Sequence, residues 1–578
     1  MINQEIANIL YEIGYLLEIE GIAFKPQAYE KAAIVLENLK QSIADIYKQG
    51  GTKSLIIVPG IGNGIAKKIE EYLITGKIKH YEELKKKFPV DINGLIAVEG
   101  VGPKTVKRLY RELGIKNVND LERIVKEHKI APLFGFGEKR EKNILESIKF
   151  LKKNKSKFLL GEILPAADKI KNVLCRLAEV KNFSIAGSLR RKKETIGDVD
   201  FLVVSNEPEK VMDVFVKQHG IIKVWNRGKT KSSIRLDSGI DVDLRVVPAK
   251  SFGSALQYFT GSKYHNIALR KIAIDLGFKL NEYGLFKGHK MIAGRSEKGI
   301  YNALGMDYVA PELRENKGEI EAALENNLPR LINYGDIRGD LHCHSSWDGG
   351  KNSIKQMAET AMNMGYQYLG ISDHTKFLRI ENGLNEKQLV QQRKEINKLN
   401  LRFVARNLEF KILQGAEANI LKDGSIDIND EALKKLDYAI AGIHSHFKLS
   451  KNQMTERIIK AMRNPHIKII SHPTGRILKR RDEYQIDFDK ILRAAKETNT
   501  ILEINSFPSR IDLNDINVRR TKLAGVKMVI NSDAHHKNHL RFIEFGIAQA
   551  RRGWAEKKDI INTAPLNGLL GIKKLLEF

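Results

Sequence analysis

The sequence predicts a multidomain protein with helical amino-terminal domains, an α+β core and a carboxyl-terminal α/β barrel. Three observations carry that expectation. At 578 residues the chain exceeds what one hydrophobic core can serve, so roughly three to five domains are expected. Apolar residues of the first part recur at helical spacing, then give way over 160–248 to short apolar strands mixed with helices. Beyond residue 335, strand-like runs ending in His, Asp or Glu alternate with helical stretches, the pattern of a barrel whose site lies at the strand ends.

Composition narrows the partners. The formal charge is +27, with 56 basic against 41 acidic residues over 1–335 and 41 against 29 over 336–578, so both parts could meet a polyanion. No apolar run approaches the roughly 20 residues that span a bilayer. Met1 to Leu10 has no basic stretch followed by an apolar one, so a cytoplasmic protein without a membrane partner is expected. Cys175 and Cys343 are the only cysteines, which leaves metal binding to histidine and carboxylate.

In residues 1–88 the apolar positions Ile6, Ile9, Leu10, Ile13, Leu16 and Leu17 share one side of a helix. Three glycine hairpins follow, at 58–62, 98–102 and 133–137, each before a helix bearing lysine or arginine. Apolar-x-Gly-apolar-Gly lets the backbone approach a ligand closely and leaves the next helix's first N–H groups free for a phosphate. Any one of these could be only a glycine-capped turn between helices. Their recurrence, with Lys67, Lys68, Lys104, Lys107 and Arg108 behind them, favours sequence-independent contact with a nucleic-acid backbone. The element is similar to the helix-hairpin-helix of DNA-binding proteins.

Between 160 and 248 we expect helices at 166–180 and 208–219 and strands at 183–186, 198–204, 221–225, 231–236 and 240–247. Gly187-Ser188-Leu189-Arg190-Arg191 offers a tight turn with free N–H groups, a hydroxyl and two guanidinium groups to a polyphosphate. Asp198 and Asp200, two apart on a strand, would aim at one point where divalent cations fit, and Asp241 or Asp243 would add a third carboxylate. That combination reads as a site for nucleotidyl transfer. Tyr258-Phe259 before Gly261 would form the floor of a sugar pocket or part of the core.

With these motifs, residues 1–315 resemble a family X DNA polymerase, the group that includes DNA polymerase beta. The resemblance implies a helix-hairpin-helix lyase-like domain over 1–88, a fingers-like domain over 89–155, a nucleotidyltransferase palm over 156–248 and a thumb over 249–315. It makes Asp198, Asp200 and Asp243 the catalytic ligands of Mg²⁺ or Mn²⁺, with Asp241 a bystander. Gly187, Ser188, Arg191 and Gly197 would hold the incoming deoxynucleoside triphosphate, Tyr258, Phe259 and Gly261 would wall its sugar, and Asn266 would reach the base. Lys25, Gly60, Gly62, Gly100, Gly102 and Lys104 would contact DNA, with Arg270 on the template strand. Lys68 falls where the family has a lysine that forms a Schiff base with an abasic sugar, although contact with DNA phosphate is the preferred reading.

Residues 316–335 read as a linker. Ten of the fifteen histidines lie beyond it, most at the ends of apolar runs. Asp340-Leu341-His342-Cys343-His344 places two imidazoles on one strand face, as a metal site needs. Residues 336–578 resemble a polymerase and histidinol phosphatase (PHP) domain. The resemblance nominates His342, His344, His374, Glu417, His444, His472, Asp533 and His535 as ligands of up to three Mn²⁺ or Zn²⁺ ions, with Glu417 bridging. Asp348 is a further candidate ligand although it comes one residue earlier than the family's aspartate, and Asn419 stands where the family often has Asp. His466, His536 and His539 are expected to be nonligands.

Together these features imply a monomeric gap-filling repair polymerase acting on gapped or primer-template duplex by two-metal catalysis. Its phosphoesterase half would act as a 3′-5′ exonuclease, a 3′-phosphatase or an abasic-site endonuclease. The competing expectations are an inactive barrel serving as a DNA-binding module, and a small-molecule phosphatase fused to an RNA nucleotidyltransferase.

Overall fold

A computed structural model of the chain describes every residue except 1, 23–24, 40–41, 59, 97, 99–100, 134–135, 156, 379–380 and 569–578. It divides into two compact units, residues 1–156 and residues 157–578 without 379–381.

The first unit is helical. Ile6, Leu10, Ile13, Leu16 and Leu17 are buried on one side of the helix Ile2–Glu20, as the spacing predicts. The expected boundary at residue 88 separates motifs without separating cores: Ile92, Leu95, Val101, Val106 and Leu109 join Ile13 and Leu16 in one hydrophobic cluster. The described residues of the three glycine hairpins share one backbone hydrogen bond. The N–H of Ile61, Val101 and Phe136 donates to the carbonyl of Val58, Val98 and Leu133, each at 3.0 Å. Helices beginning at Asn63, Pro103 and Glu138 follow.

The second unit opens with the palm, a five-stranded sheet in the order Val180–Ile185, Asp198–Ser205, Asp241–Val246, Lys231–Leu236, Ile221–Arg227. Only the central pair, Asp198–Ser205 with Asp241–Val246, is parallel. Alternating burial along Asp241–Val246 puts Val242, Leu244 and Val246 in the core and Asp241, Asp243 and Arg245 on the open face. The thumb follows with helices Phe252–Thr260 and Lys263–Asp275 and a three-stranded antiparallel sheet.

The segment expected to be a linker is folded. Helix Glu319–Leu324 buries Ile320 and Ala323 in the thumb core, and the fully buried Glu319 accepts a hydrogen bond from His265 Nδ1 at 2.7 Å. Its polar composition, which suggested a tether, serves buried hydrogen bonds and exposed helix positions.

The remainder is a parallel α/β barrel of seven strand positions. A three-stranded sheet and a five-stranded sheet meet where Lys411–Gln414 bends through Gly415 and Ala416 into Glu417–Asn419. Bridges between Cys343 and Ala534 and between His374 and Glu417 close the ring. Leu341, Tyr368, Leu413, Ile440, Ile469, Ile501 and Val529, one from each strand, pack with Ile561 into an interior layer. Capping boxes start the outer helices at Ser353, Asn385 and Ser450, fixing where each strand-to-helix loop ends. No helix among the described residues is long and apolar enough to cross a membrane.

Candidate active sites

The palm site grows from a strand pair. Asp198 and Asp200 leave one face of their strand, and parallel pairing sets Asp200 opposite Asp243 and Asp198 opposite Asp241. Asp241 is taken up by Arg235, bonded through Nε and Nη2 at 2.8 Å each, and by the Trp225 indole N–H at 2.9 Å. That leaves Asp198, Asp200 and Asp243 as the remaining carboxylates. Lys231 Nζ lies 3.4 Å and Arg245 Nη2 4.0 Å from the Asp243 carboxylate. Burial, then repulsion from Asp198 and Asp243, pushes the Asp200 carboxyl up to about 7. Burial and Asp243 raise Asp198 as well. Carboxylates that resist joint ionisation form a site that divalent cations would satisfy.

The short helix Gly187–Arg190 faces these carboxylates. Gly187 has φ +63°, and a Cβ there would fall on the Asp200 carboxylate, so only glycine fits. The Ser188 hydroxyl is buried without a hydrogen-bond partner, an orphan that a phosphate oxygen would satisfy. Arg191 donates from Nε to Glu315 at 3.0 Å and from Nη1 to the Thr260 carbonyl. Gly197 is exposed beside Asp198. The Tyr258 and Phe259 rings meet edge to face at 5.1 Å at the end of their helix, which Gly261 closes at φ +67°.

Two further thumb residues have partners within the thumb. Asn266 Oδ1 accepts from Gln257 Nε2 and its Nδ2 donates to the Tyr258 carbonyl, both at 2.7 Å, so the amide braces the aromatic turn. Arg270 Nε donates at 3.2 Å to the Asn266 carbonyl and thus lies along its own helix.

In the amino-terminal unit, Gly60 has φ +96° against Val35, and Gly62 and Gly102 cap the helices after the first two hairpins. Lys104 is exposed in the first turn of its helix, while Gly100 lies outside the described residues. Lys68 is half-buried on helix Asn63–Thr75. Burial, then the charges of Lys68 and, more weakly, Lys25, hold the His80 imidazole below its ordinary pKa.

The barrel gathers its polar residues around one carboxylate. Glu417 lies 3.3 Å from His342 Nε2, 3.0 Å from His374 Nδ1, 3.3 Å from His444 Nε2 and 2.9 Å from His472 Nε2. His344 Nε2 is 3.8 Å from it and 3.3 Å from Asp533, which also has His535 Nδ1 at 3.5 Å. Ligand atoms of His342, His344 and Asp533, of His344, His374 and His535, and of His374, Glu417 and His444 each cluster within 4.8 Å. Ring nitrogens of His342, His344 and His374 that face the centre are buried without hydrogen bonds. Such orphans suit metal ions, and the nitrogen and carboxylate donors suit Mn²⁺ or Zn²⁺.

Electrostatics agree with that reading. Burial opposes the charged imidazoles, yet Glu503, Glu417 and Asp533 lift His342 well above its ordinary range, and Asp348 lifts His344 to about 9. Glu417 and Asp533 stay ionised despite burial because these histidines surround them. The backbone is left-handed at His472 (φ +31°) and Asp533 (φ +54°), a conformation that non-glycine residues hold at a cost of about 1–2 kcal/mol.

Asp348 lies behind His344: its Oδ2 is 2.7 Å from Nδ1, the nitrogen facing away from Glu417, and it also accepts the His374 N–H. The displaced aspartate thus orients a histidine. Sequence reasoning missed Glu503, which does the same for His342 at 2.7 Å and accepts the His472 N–H at 2.8 Å. Its signal was a charge inside the apolar strand Ile501–Asn505. Asn419 Oδ1 takes His444 Nδ1 at 2.7 Å, and Arg510 brings a guanidinium to 3.8 Å from Asp533. His446 is exposed, and His536 and His539 pair with each other away from the cluster.

Comparison with known proteins matches residues 1–78 to the helix-hairpin-helix domain, 92–149 to the SAM-like helix-hairpin-helix tandem, 255–315 to the DNA polymerase beta thumb and 340–507 to the PHP domain. A DNA polymerase/3′-5′ exonuclease PolX of Bacillus subtilis (strain 168) is 36% identical over 571 residues, which cover 98% of each chain. Two probable phosphatases align with shorter stretches. One from Thermoanaerobacter pseudethanolicus is 38% identical over 147 residues, 24% of this chain and 58% of its own. One from Caldanaerobacter subterraneus is 32% identical over 208 residues, 34% of this chain and 75% of its own.

Proposed function

The chain belongs to the family X DNA polymerases that carry a carboxyl-terminal PHP domain, and from that premise we propose a gap-filling repair polymerase that also trims 3′ ends. The observation that carries the synthetic half is the register placing Asp200 beside Asp243, opposite a phosphate-sized turn with an unpartnered Ser188 hydroxyl. Asp198, Asp200 and Asp243 would hold two Mg²⁺ ions, which supply a lowered pKa for the primer 3′ hydroxyl and charge relief for the leaving pyrophosphate. Asp243 steers the hydroxyl proton, because the family resemblance places it nearest that hydroxyl. The turn at Gly187 and Ser188, with Arg191, binds and orients the triphosphate. Tyr258 and Phe259, braced by Asn266, present a rigid wall to the sugar and thereby favour deoxynucleotides. Lys25, Lys68 and the first two hairpins contact phosphates of gapped duplex.

In the barrel, His342, His344, His374, Glu417, His444, His472, Asp533 and His535 would hold up to three Mn²⁺ or Zn²⁺ ions, which activate water and stabilise the departing oxygen of a phosphoester. Asp348, Asn419 and Glu503 fix the orientation of His344, His444 and His342. Arg510 lies at the rim, where it can neutralise the scissile phosphate. A 3′-5′ exonuclease is the reaction that serves the polymerase, since both then work on the same primer end.

The test separates the two sites. Asp198→Ala should abolish primer extension and leave nuclease activity, and His342→Ala should do the reverse. Loss of both activities in either folded variant would refute the assignment.

A further inference from the structure

The nucleotide turn of the palm has a back side, and the barrel occupies it. Arg191 donates from Nε to Glu315 at 3.0 Å, and Glu315 also receives Arg552 Nη1 at 3.3 Å and lies 3.7 Å from Lys193 Nζ. Arg552 ends the barrel helix Ile543–Arg552 and is buried to 3% of its side-chain surface. The same Nη1 donates to the Arg191 carbonyl at 3.1 Å, while Nη2 donates to Asp515 of the barrel at 2.8 Å. Three residues on, Glu194 is clamped by Arg476 and by Gln549 Nε2 at 2.8 Å.

A long guanidinium at a phosphate site loses much of its value if its side chain must be ordered each time a ligand arrives. Here both the Arg191 side chain and its own carbonyl are fixed, one through Glu315 and the other directly, by a single arginine from the barrel. Cations also outnumber anions in the cluster: Arg191, Lys193, Arg552 and Lys317 share Glu315 and Asp515. The cluster behind the turn therefore carries a net positive charge.

We propose that Glu315 and Arg552 are positioning residues for Arg191, so that the barrel sets the affinity of the palm for the incoming triphosphate. This rests on the polymerase reading above. It makes the carboxyl-terminal half part of the synthetic site, in addition to any hydrolysis it performs.

Steady-state primer extension and equilibrium binding of Mg²⁺·dATP, both on the full-length protein, test it. Arg552→Ala should raise the nucleotide KM and dissociation constant by about fivefold to tenfold, the scale of coupling between contacting charged groups, with kcat within about twofold. Nuclease activity should persist. Arg552→Lys should recover part of the affinity, and Asp515→Asn should weaken binding in the same direction if Arg552→Ala folds poorly. Because Arg552 acts through Arg191, its removal should add nothing in an Arg191→Ala background. An unchanged KM and dissociation constant in Arg552→Ala, or the same loss with Arg191 already removed, would overturn the inference. A wild-type protein that binds Mg²⁺·dATP but extends no primer would instead count against the polymerase reading, and the binding arm would still decide the role of Arg552.

Discussion

Gly187→Ala is the most exposing perturbation of the palm. Gly187 sits at φ +63°, where a side chain costs about 1–2 kcal/mol, and its added Cβ would overlap the Asp200 carboxylate. Backbone strain of that size should lower the midpoint of thermal unfolding by about 2–8 °C for a large domain. The overlap is the greater effect. Asp200 cannot retreat along its strand, because it is paired with Asp243 and its backbone carbonyl accepts the Ala186 N–H at 2.8 Å. Its carboxylate must rotate away from the common point by about 1 Å, a misplacement that costs on the order of a hundredfold in rate. The assay is single-nucleotide extension of a gapped duplex, with nuclease activity of the same preparation as the internal control. Extension should fall about a hundredfold with nuclease activity retained, in keeping with separate sites. A variant that extends within about threefold of wild type would show that Asp200 is not held where the argument needs it.

Two further outcomes are expected. Glu297 is buried against Arg190 and Arg314 with contacts of 2.6–2.8 Å, which tie the nucleotide turn to the thumb. Burial disfavours its charge, but Arg314 and Arg190 hold its pKa at about 2. Its folded pKa lies below the unfolded value, so it contributes stability above about pH 4.5 that is lost as pH falls toward 2. The full term is about 3 kcal/mol, of which about 1 kcal/mol should be gone by pH 3.5. Denaturant unfolding of Glu297→Gln against wild type should show that narrowing, and a gap independent of pH would reject the ion-pair account. In the barrel, Glu503→Gln should weaken metal binding by about tenfold to a hundredfold through His342, read as a rightward shift of the Mn²⁺ dependence of nuclease activity at unchanged extension. An unmoved Mn²⁺ midpoint would leave Glu503 a structural role only.

Local and periodic relations were legible without the fold. Residues two apart on a strand share a face, so Asp198 with Asp200 and His342 with His344 were legible as pairs before any fold was known. The three glycine hairpins were legible because the repeated pattern dictates the same turn each time. Parallel register set Asp200 opposite Asp243 and Asp198 opposite Asp241, and the Arg235 side chain took up Asp241. Neither relation is written in the spacing, since a two-residue slip would keep the faces and set Asp200 opposite Asp241 instead.

Tertiary structure also decided what lies behind each polar group. Asp348, Asn419 and Glu503 turn toward histidines four to 161 residues away, and Asn266 turns inward to brace the aromatic turn. The supposed linker became thumb core because Ile320 and Ala323 found an apolar surface that a reading of its polar residues could not supply. Contacts between Arg191 and Arg552, 361 residues apart, depend on the packing of two domains. Side-chain chemistry fixes which groups can react, whereas burial and long-range packing fix which of them are free to do so.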